Sequence, residues 1–160
     1  MVKRLGGLNN SAIFNAVKTE VVNYDRYEAN QLKVIGVCNR QSTDSIVSDH
    51  FSFAQWVNQH TNYPVIKVEG LEQSPFLMRA FKHFQPVDIH LFVSRHSGYS
   101  FKWHTDSVNV FLYVVKGQKI VYIKNKVHIV NAKSGIFIPK GHLHKVYSRA
   151  GTWALSIGFK

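Results

Sequence analysis

The sequence predicts a mainly β domain, a jelly-roll-like barrel or double sheet with a few helices before it. Short runs rich in β-branched and aromatic residues follow one another through the second half of the chain. Turn signals such as Lys116-Gly117 and Lys140-Gly141 separate them. Short strands at this spacing are typical of barrels and sandwiches. The expected strands are residues 88–94, 100–105, 109–115, 119–124, 127–130, 135–139, 145–148 and 152–159.

The first half of the chain gives weaker signals. Ser48 or Asp49 is suited to cap a helix that runs to about His60, and Pro86 is expected to end a second helix. The other elements follow from composition and turn residues. They are a helix or strand at residues 12–24, a strand at 31–37, a polar loop at 39–48, a strand at 64–68 and the second helix at 71–84.

Length and composition bound the class of protein. The chain has 160 residues, enough for one domain with a sizeable core. We expect residues 1–86 to form a mixed α/β part and residues 87–160 the barrel core of that single domain. A hydrophobic content of 45% excludes a disordered chain. The single cysteine, Cys38, excludes an internal disulfide. The sequence has neither a membrane-length apolar run nor a signal-peptide pattern, so we expect a soluble, cytoplasmic protein.

Charge is distributed unevenly along the chain. Residues 1–88 contain nine basic and eight acidic residues, whereas residues 89–160 contain eleven basic residues and one acid, Asp106. Such a basic half suggests an anionic partner such as nucleic acid or a ribosome, or else a lysine-rich β surface that discourages edge pairing. A solitary carboxylate among so many cations is a candidate to bind a cation itself.

Two motifs carry chemistry. His104 and Asp106 lie two apart on an expected strand, so that period 2 places both side chains on one face. Downstream, Pro139-Lys-Gly-His-Leu-His144 supplies two more histidines at the start of another strand. Two imidazoles and a carboxylate form the facial triad that holds Fe(II) and leaves three positions open. The Pro-x-Gly-x-x-His spacing favours His144 as third ligand, with His142 as its competitor.

The sequence from His104 to Lys119 resembles the JmjC-type, cupin-like 2-oxoglutarate/Fe(II) oxygenases. The family pattern is HxD, an aromatic-rich strand and then Gly-x-Lys or Gly-x-Arg, with the basic residue thirteen positions after the Asp, as Lys119 follows Asp106. Residues 138–144 resemble the segment with the distal His, and residues 154–159 the closing strand of the ribosomal-oxygenase branch. The resemblance implies a double-stranded β-helix and a hydroxylase. Its expected substrate is a side chain of a protein that is associated with the ribosome or with nucleic acid.

The same resemblance implies roles for individual residues. His104, Asp106 and His144 would bind Fe(II), with no catalytic side chain beyond these ligands. Lys119 would pair with the distal carboxylate of the cosubstrate 2-oxoglutarate, which is consumed together with O₂. Asn109, Ser156 and Tyr113 are further candidates to contact 2-oxoglutarate.

Two other functions remain open at this point. One is a metal-binding cupin enzyme that does not use 2-oxoglutarate, which would have no need for a basic residue at position 119. The other is a non-enzymatic basic β domain that binds nucleic acid or sugar, in which case the triad is a coincidence. Neither the substrate nor the oligomeric state follows from the sequence.

Overall fold

Two antiparallel sheets enclose a barrel-like interior. The computed structural model describes residues 2–23, 25–26, 31–38, 41–44 and 65–160. Within them, the larger sheet has the strand order β1-β10-β7-β12-β5-β4-β2-β3 and the smaller one β6-β11-β8-β9. The strands are β1 (Val2–Arg4), β2 (Lys33–Cys38), β3 (Gln41–Asp44), β4 (Val65–Glu69), β5 (Asp88–Ser94), β6 (Gly98–Tyr99), β7 (Asn109–Lys116), β8 (Gln118–Ile123), β9 (Lys126–Asn131), β10 (Ser134–Ile138), β11 (His144–Ser148) and β12 (Trp153–Phe159); the helices are α1 (Asn10–Val21) and α2 (Pro75–Ala80).

Strand β7 shows how the two faces of the larger sheet are used. Its central residues are buried on both faces, which explains the continuous apolar run in its sequence. Val110, Leu112 and Val114 point inward and join a cluster with residues of the smaller sheet. Phe111 and Tyr113 point outward into a second cluster that includes helix residues. The barrel interior and the helix-covered face are therefore separate cores.

Helix α1 covers the outer face of β7. Asn9 caps it, because its side-chain oxygen accepts the Ala12 N–H at 3.0 Å. Its buried apolar stripe consists of Ile13, Val17 and Val21, which are spaced four residues apart. In addition, Asn10 accepts a hydrogen bond from the Tyr113 hydroxyl at 2.8 Å. The expected helix or strand at residues 12–24 is thus a helix.

The expected helix at residues 71–84 is broken into three pieces. Short 3₁₀ turns at Leu71–Gln73 and Lys82–Phe84 flank α2. Pro75 disfavours helical backbone at the residue before it, and Ser74 instead caps α2 by accepting the Leu77 N–H at 3.3 Å. Pro75 therefore starts a new helix within the segment that had been expected to be continuous.

Two further expectations need correction. Residues 100–105 do not form a strand. They follow the two-residue strand β6 at the sheet edge, where β11 is the neighbouring strand, and their one β-bridge to β11 is at His104. The expected loop at residues 39–48 contains β3, which forms a sheet-edge strand through pairing with β2 despite its polar sequence. The expected helix from Ser48 or Asp49 to about His60 lies outside the described residues. No helix in the described part of the chain is long and apolar enough to cross a membrane.

Candidate metal centre

Three side chains with metal-binding atoms converge at the wall of the barrel interior. They are His104, Asp106 and His144, and one ligand atom from each lies within 4.8 Å of the others. The carboxylate lies between the imidazoles, with Oδ1 3.8 Å from His104 Nε2 and Oδ2 3.2 Å from His144 Nε2. Within the described ranges, His142 does not belong to this cluster. The structure therefore brings together the three residues expected to be metal ligands.

Backbone carbonyls orient both imidazoles. Nδ1 of His104 lies 2.8 Å from the carbonyl oxygen of Lys102, and Nδ1 of His144 lies 2.8 Å from that of His142. When Nδ1–H donates to a carbonyl, the lone pair of a neutral imidazole is on Nε2, the atom that faces Asp106. Metal-ligating histidines are typically held by such a bond from the other ring nitrogen. The cluster is thus preorganised for a cation.

The turn before β11 joins the parts of the chain that carry the three ligands. His104 and His144 form an isolated β-bridge, in which each backbone N–H donates to the other carbonyl at 2.9 Å. Gly141 adopts a φ of 78° and donates its N–H to the Asp106 carbonyl at 3.0 Å. Glycine suits this left-handed conformation because it has no Cβ. The Pro-x-Gly-x-x-His pattern therefore reflects a turn that fixes His144 beside Asp106.

Electrostatics within the cluster favour a charged Asp106. Burial raises the pKa of its carboxyl group, but the hydrogen bond and charge of His144 and the charge of His104 outweigh burial, so the net pKa is lowered. Burial lowers the pKa of His144, but the bonds to Asp106 and the His142 carbonyl outweigh it, so the net pKa is raised. The carboxylate thus already attracts positive charge to the position where a metal would bind.

A cavity of about 670 Å³ opens beside the cluster. Apolar side chains from both sheets, including Val110, Leu112 and Val146, line it together with the three ligands. Lys119 from β8 and Ser156 from β12 also line it. The volume suits a small organic ligand that lies against the metal position.

Lys119 is an unusual component of that cavity. It is 2% exposed, and its Nζ lies 5.3 Å from the centroid of the Phe92 ring. Burial lowers the pKa of Lys119 to about 7, and no carboxylate among the described residues offsets this effect. A buried amine without an anionic partner is costly, so an anionic ligand would be stabilised beside it.

Two buried serines share the interior with Lys119. Ser148 is directly opposite Lys119 in the pairing of β11 with β8, so both side chains lie on one face. Ser94 lies on the same face of β5 as the cavity residue Phe92. Their hydroxyl oxygens are buried and have no hydrogen-bond partner in the described structure. Neither serine is among the side chains that line the cavity, so these hydroxyls are buried polar groups of the barrel wall.

Two of the expected cosubstrate contacts lie elsewhere. Tyr113 points to the outer face of β7 and bonds to Asn10, because odd-numbered residues of this strand alternate away from Leu112. Asn109 does not line the cavity, and its side-chain oxygen accepts the Lys140 N–H at 2.9 Å. The structure thus corrects the expected position of Tyr113 and gives Asn109 a place in the turn next to His144.

Three ionisable residues that were not among the predicted site residues also line the cavity, Lys67, Asp88 and His90. Lys67 Nζ lies 2.9 Å from a Glu69 carboxylate oxygen, and His90 Nε2 lies 4.0 Å from Asp88. Burial and the Lys67 charge hold the pKa of His90 below its usual value. The alternation Asp88-Ile-His90-Leu-Phe92 contained the signal, since it places these polar residues on one face of a core strand.

Comparison with known proteins shows the fold. Residues 86–157 match the family model described as AraC-like ligand binding domain. YcfD, a ribosomal oxygenase from Escherichia coli solved with cobalt and succinic acid, is 17% identical with a TM-score of 0.57. Its complex with cobalt and 2-oxoglutarate is 18% identical with a TM-score of 0.56. No curated protein matches the chain.

Each alignment to the ribosomal oxygenase covers 81% of this chain and 39% of the other, so the chain spans about two fifths of the length of that protein. Together with the strand order, the likeness shows a double-stranded β-helix, as the sequence predicts. Fold and site thus define a double-stranded β-helix protein with a candidate metal centre of two imidazoles and one carboxylate.

Proposed function

We propose that this protein is a 2-oxoglutarate- and Fe(II)-dependent oxygenase that hydroxylates a protein side chain. The observation that carries the proposal is the presence of a buried lysine, Lys119, in the same cavity as the His104, Asp106 and His144 cluster. One part of the cavity suits a cation and another suits an anion. A dicarboxylate that chelates the metal through one end would meet both requirements.

The donor set fits iron. Two neutral imidazoles and a carboxylate are the ligands of non-haem Fe(II) oxygenases, and they leave coordination positions for a cosubstrate and O₂. When bound, the metal and 2-oxoglutarate would supply oxidation in which one oxygen atom enters the substrate C–H bond and the other enters succinate, with loss of CO₂. His104, Asp106 and His144 would hold the metal on one side and keep the other side free.

Lys119 would hold the distal carboxylate of 2-oxoglutarate. Because burial lowers the pKa of this amine to about 7, the amine is ready to take up a proton as the anion arrives. Ser156, which lines the same cavity, is a candidate to donate to the same carboxylate. The Phe92 ring, whose centroid lies 5.3 Å from Nζ of Lys119, makes this part of the cavity apolar, which strengthens a charge-assisted bond.

The substrate class rests on the similarity to the ribosomal oxygenase. We infer a protein substrate, associated with the ribosome or with nucleic acid, and a reaction in the cytoplasm. Lys67, His90 and Trp103 also line the cavity and are candidates to contact the substrate.

A second candidate is a ligand-binding cupin that does not consume 2-oxoglutarate. The match of residues 86–157 to the AraC-like ligand binding domain favours it. Such a protein would bind a small molecule in the same cavity without turnover. Turnover separates the two functions, because only the oxygenase converts 2-oxoglutarate into succinate.

Uncoupled succinate formation tests the proposal. The assay contains Fe(II), ascorbate and excess 2-oxoglutarate, and compares the unmodified protein with Lys119→Ala, His144→Ala and the exposed-lysine control Lys116→Ala. We expect metal-dependent succinate from the unmodified protein and the control, about ten- to a hundredfold weaker 2-oxoglutarate affinity in Lys119→Ala, and no turnover in His144→Ala. If the unmodified protein with metal neither turns over nor binds 2-oxoglutarate, the oxygenase proposal is wrong.

A further inference from the structure

The outer face of the smaller sheet is lined by aromatic side chains. Tyr99 on β6, Tyr147 on β11 and Tyr122 on β8 are partly exposed and lie on the face opposite the cavity. The ring centroids of Tyr99 and Tyr147 are 5.2 Å apart, and those of Tyr99 and Tyr122 are 6.2 Å apart. We call these three tyrosines, together with Lys145, the aromatic face.

Lys145 lies at the centre of the aromatic face. Its Nζ is 4.6 Å from the ring centroid of Tyr99, 5.2 Å from that of Tyr122 and 5.1 Å from that of Trp103. A lysine held by cation–π contacts with several rings is a fixed positive charge among flat apolar surfaces. This arrangement offers both a phosphate contact and stacking surfaces.

Exposed apolar side chains continue beyond the tyrosines onto strand β9 of the same sheet. Val127 and Ile129 on β9 are 59% and 56% exposed, and they are paired across the sheet with Tyr122 and Ile120. Adjacent exposed apolar side chains of this size are typical of interaction surfaces. The aromatic face is therefore part of a wider surface suited to a partner.

The charge around this surface selects the kind of partner. Lys124, Lys126 and Arg149 are exposed at the ends of strands of the same sheet. Asp106, the only acidic residue in 89–160, belongs to the metal-binding cluster. Because this surface has several exposed cations and residues 89–160 contain no acidic residue besides Asp106, the surface complements an anion.

We propose that the aromatic face binds single-stranded nucleic acid. Such a strand combines phosphates, which the lysines can pair with, and unpaired bases, which can stack on the tyrosines. A four-stranded sheet whose exposed aromatic residues stack bases is an established way to bind single strands. An acidic peptide would use the cations but not the rings, and a duplex would hide its bases.

The position of Trp103 places this surface next to the cavity. Trp103 lines the cavity and also contacts Lys145 of the aromatic face. A strand bound across the tyrosines would therefore pass close to the cavity. The nucleic-acid proposal does not depend on the oxygenase proposal, because the side chains of the aromatic face lie on the side of the sheet opposite the cavity.

Fluorescence anisotropy with a short labelled single-stranded RNA of mixed sequence tests the proposal. We expect binding to the unmodified protein, and about tenfold weaker binding for each of Tyr99→Ala and Tyr147→Ala, because each variant loses one stacked base. Lys145→Gln should weaken binding and reduce the slope of log affinity against log salt by about 1. The control is Lys82→Gln, which removes the same charge from the exposed 3₁₀ turn after α2 and should bind as the unmodified protein does.

Competition on the unmodified protein keeps the test independent of whether a variant folds. A duplex of the same sequence and polyglutamate should each compete much more weakly than the single strand. The proposal is overturned if the RNA does not bind, if the duplex or polyglutamate competes equally well, or if folded tyrosine variants bind RNA as tightly as the control does.

Discussion

The burial of Lys119 is expected to lower the stability of the folded protein. It is a fully buried amine that faces no carboxylate among the described residues. Removing such a group from an apolar site is expected to stabilise a fold, and a ligand that pairs with the amine would offset the cost of keeping it there. The residue thus connects the stability of the barrel with its proposed function.

Replacing Lys119 with methionine should stabilise the ligand-free protein. Methionine has a similar length without the amine, so we expect the free energy of unfolding at neutral pH to rise by about 1 to 3 kcal/mol. Thermal and denaturant unfolding of Lys119→Met and of the exposed control Lys116→Met would measure it. A Lys119→Met protein that unfolds more easily than the unmodified protein would show that the amine has a stabilising partner.

The stability gain of Lys119→Met should also depend on pH. Burial lowers the folded-state pKa of Lys119 to about 7 from its ordinary value of 10.5, so between these values the unfolded state binds more protons than the folded state. The cost of burying Lys119 is therefore largest below pH 7 and falls as the pH rises towards 10.5. The difference in unfolding free energy between Lys119→Met and the unmodified protein should therefore shrink as the pH rises, by at most about 1.4 kcal/mol per pH unit. A difference that stays constant with pH would argue against a depressed pKa.

At the scale of the element, the turn before β11 positions His144, a candidate metal ligand. Asn109 accepts the Lys140 N–H at 2.9 Å, and Gly141 donates to the Asp106 carbonyl at 3.0 Å. These bonds join the start of β7 to the turn that delivers His144. Loosening the turn should therefore affect metal affinity as well as stability.

Asn109→Ala should cost about 0.5 to 1.5 kcal/mol of stability, because a side chain–backbone hydrogen bond is lost, and should weaken metal binding. Asn109→Asp keeps the acceptor oxygen and should preserve both. Denaturant unfolding of each variant measures the change in stability. Calorimetric titration of Mn(II) and then 2-oxoglutarate measures the two affinities. Asn109→Asp proteins that bind metal normally but reject 2-oxoglutarate would show instead that Asn109 contacts the cosubstrate.

Strand elements and candidate ligands were predictable from sequence to different degrees. Alternation and turn residues predicted the central strands such as β7, and motif spacing predicted His104, Asp106 and His144. The sequence did not predict that Tyr113 points away from the cavity. Strand β7 is apolar and buried on both faces, so its sequence has no polar–apolar alternation that would indicate which face a side chain is on. The strand predicted at residues 100–105 does not form, because this segment has a single neighbouring strand at the sheet edge, which the sequence pattern does not reveal.

For the whole molecule, the fold itself holds the three candidate metal ligands close together, with no metal present. The backbone bridge between His104 and His144 and the carbonyl bonds to both imidazoles do not require a cation. The barrel fold should therefore survive removal of a ligand side chain, and metal should bind a site that already exists in the folded state.

Metal should accordingly raise the thermal stability of the protein. At a free Mn(II) concentration of about 100 times Kd, binding to the folded state contributes about 2.7 kcal/mol. For a domain of this size, that corresponds to a rise in Tm of roughly 5 to 10 °C. Differential scanning calorimetry should show this rise in the unmodified protein and not in His104→Ala, whose Tm without metal should be nearly unchanged. A similar metal-dependent rise in His104→Ala would place the metal elsewhere.

The most direct test of the proposed function is a crystal structure of the protein with Mn(II) and N-oxalylglycine, a non-reacting analogue of 2-oxoglutarate. The account predicts one metal bound by His104 Nε2, Asp106 and His144 Nε2 at about 2.0 to 2.3 Å. It also predicts the distal carboxylate of the analogue within hydrogen-bond distance of Lys119 Nζ. A metal bound through His142 instead, or an analogue whose distal carboxylate lies away from Lys119, would contradict it.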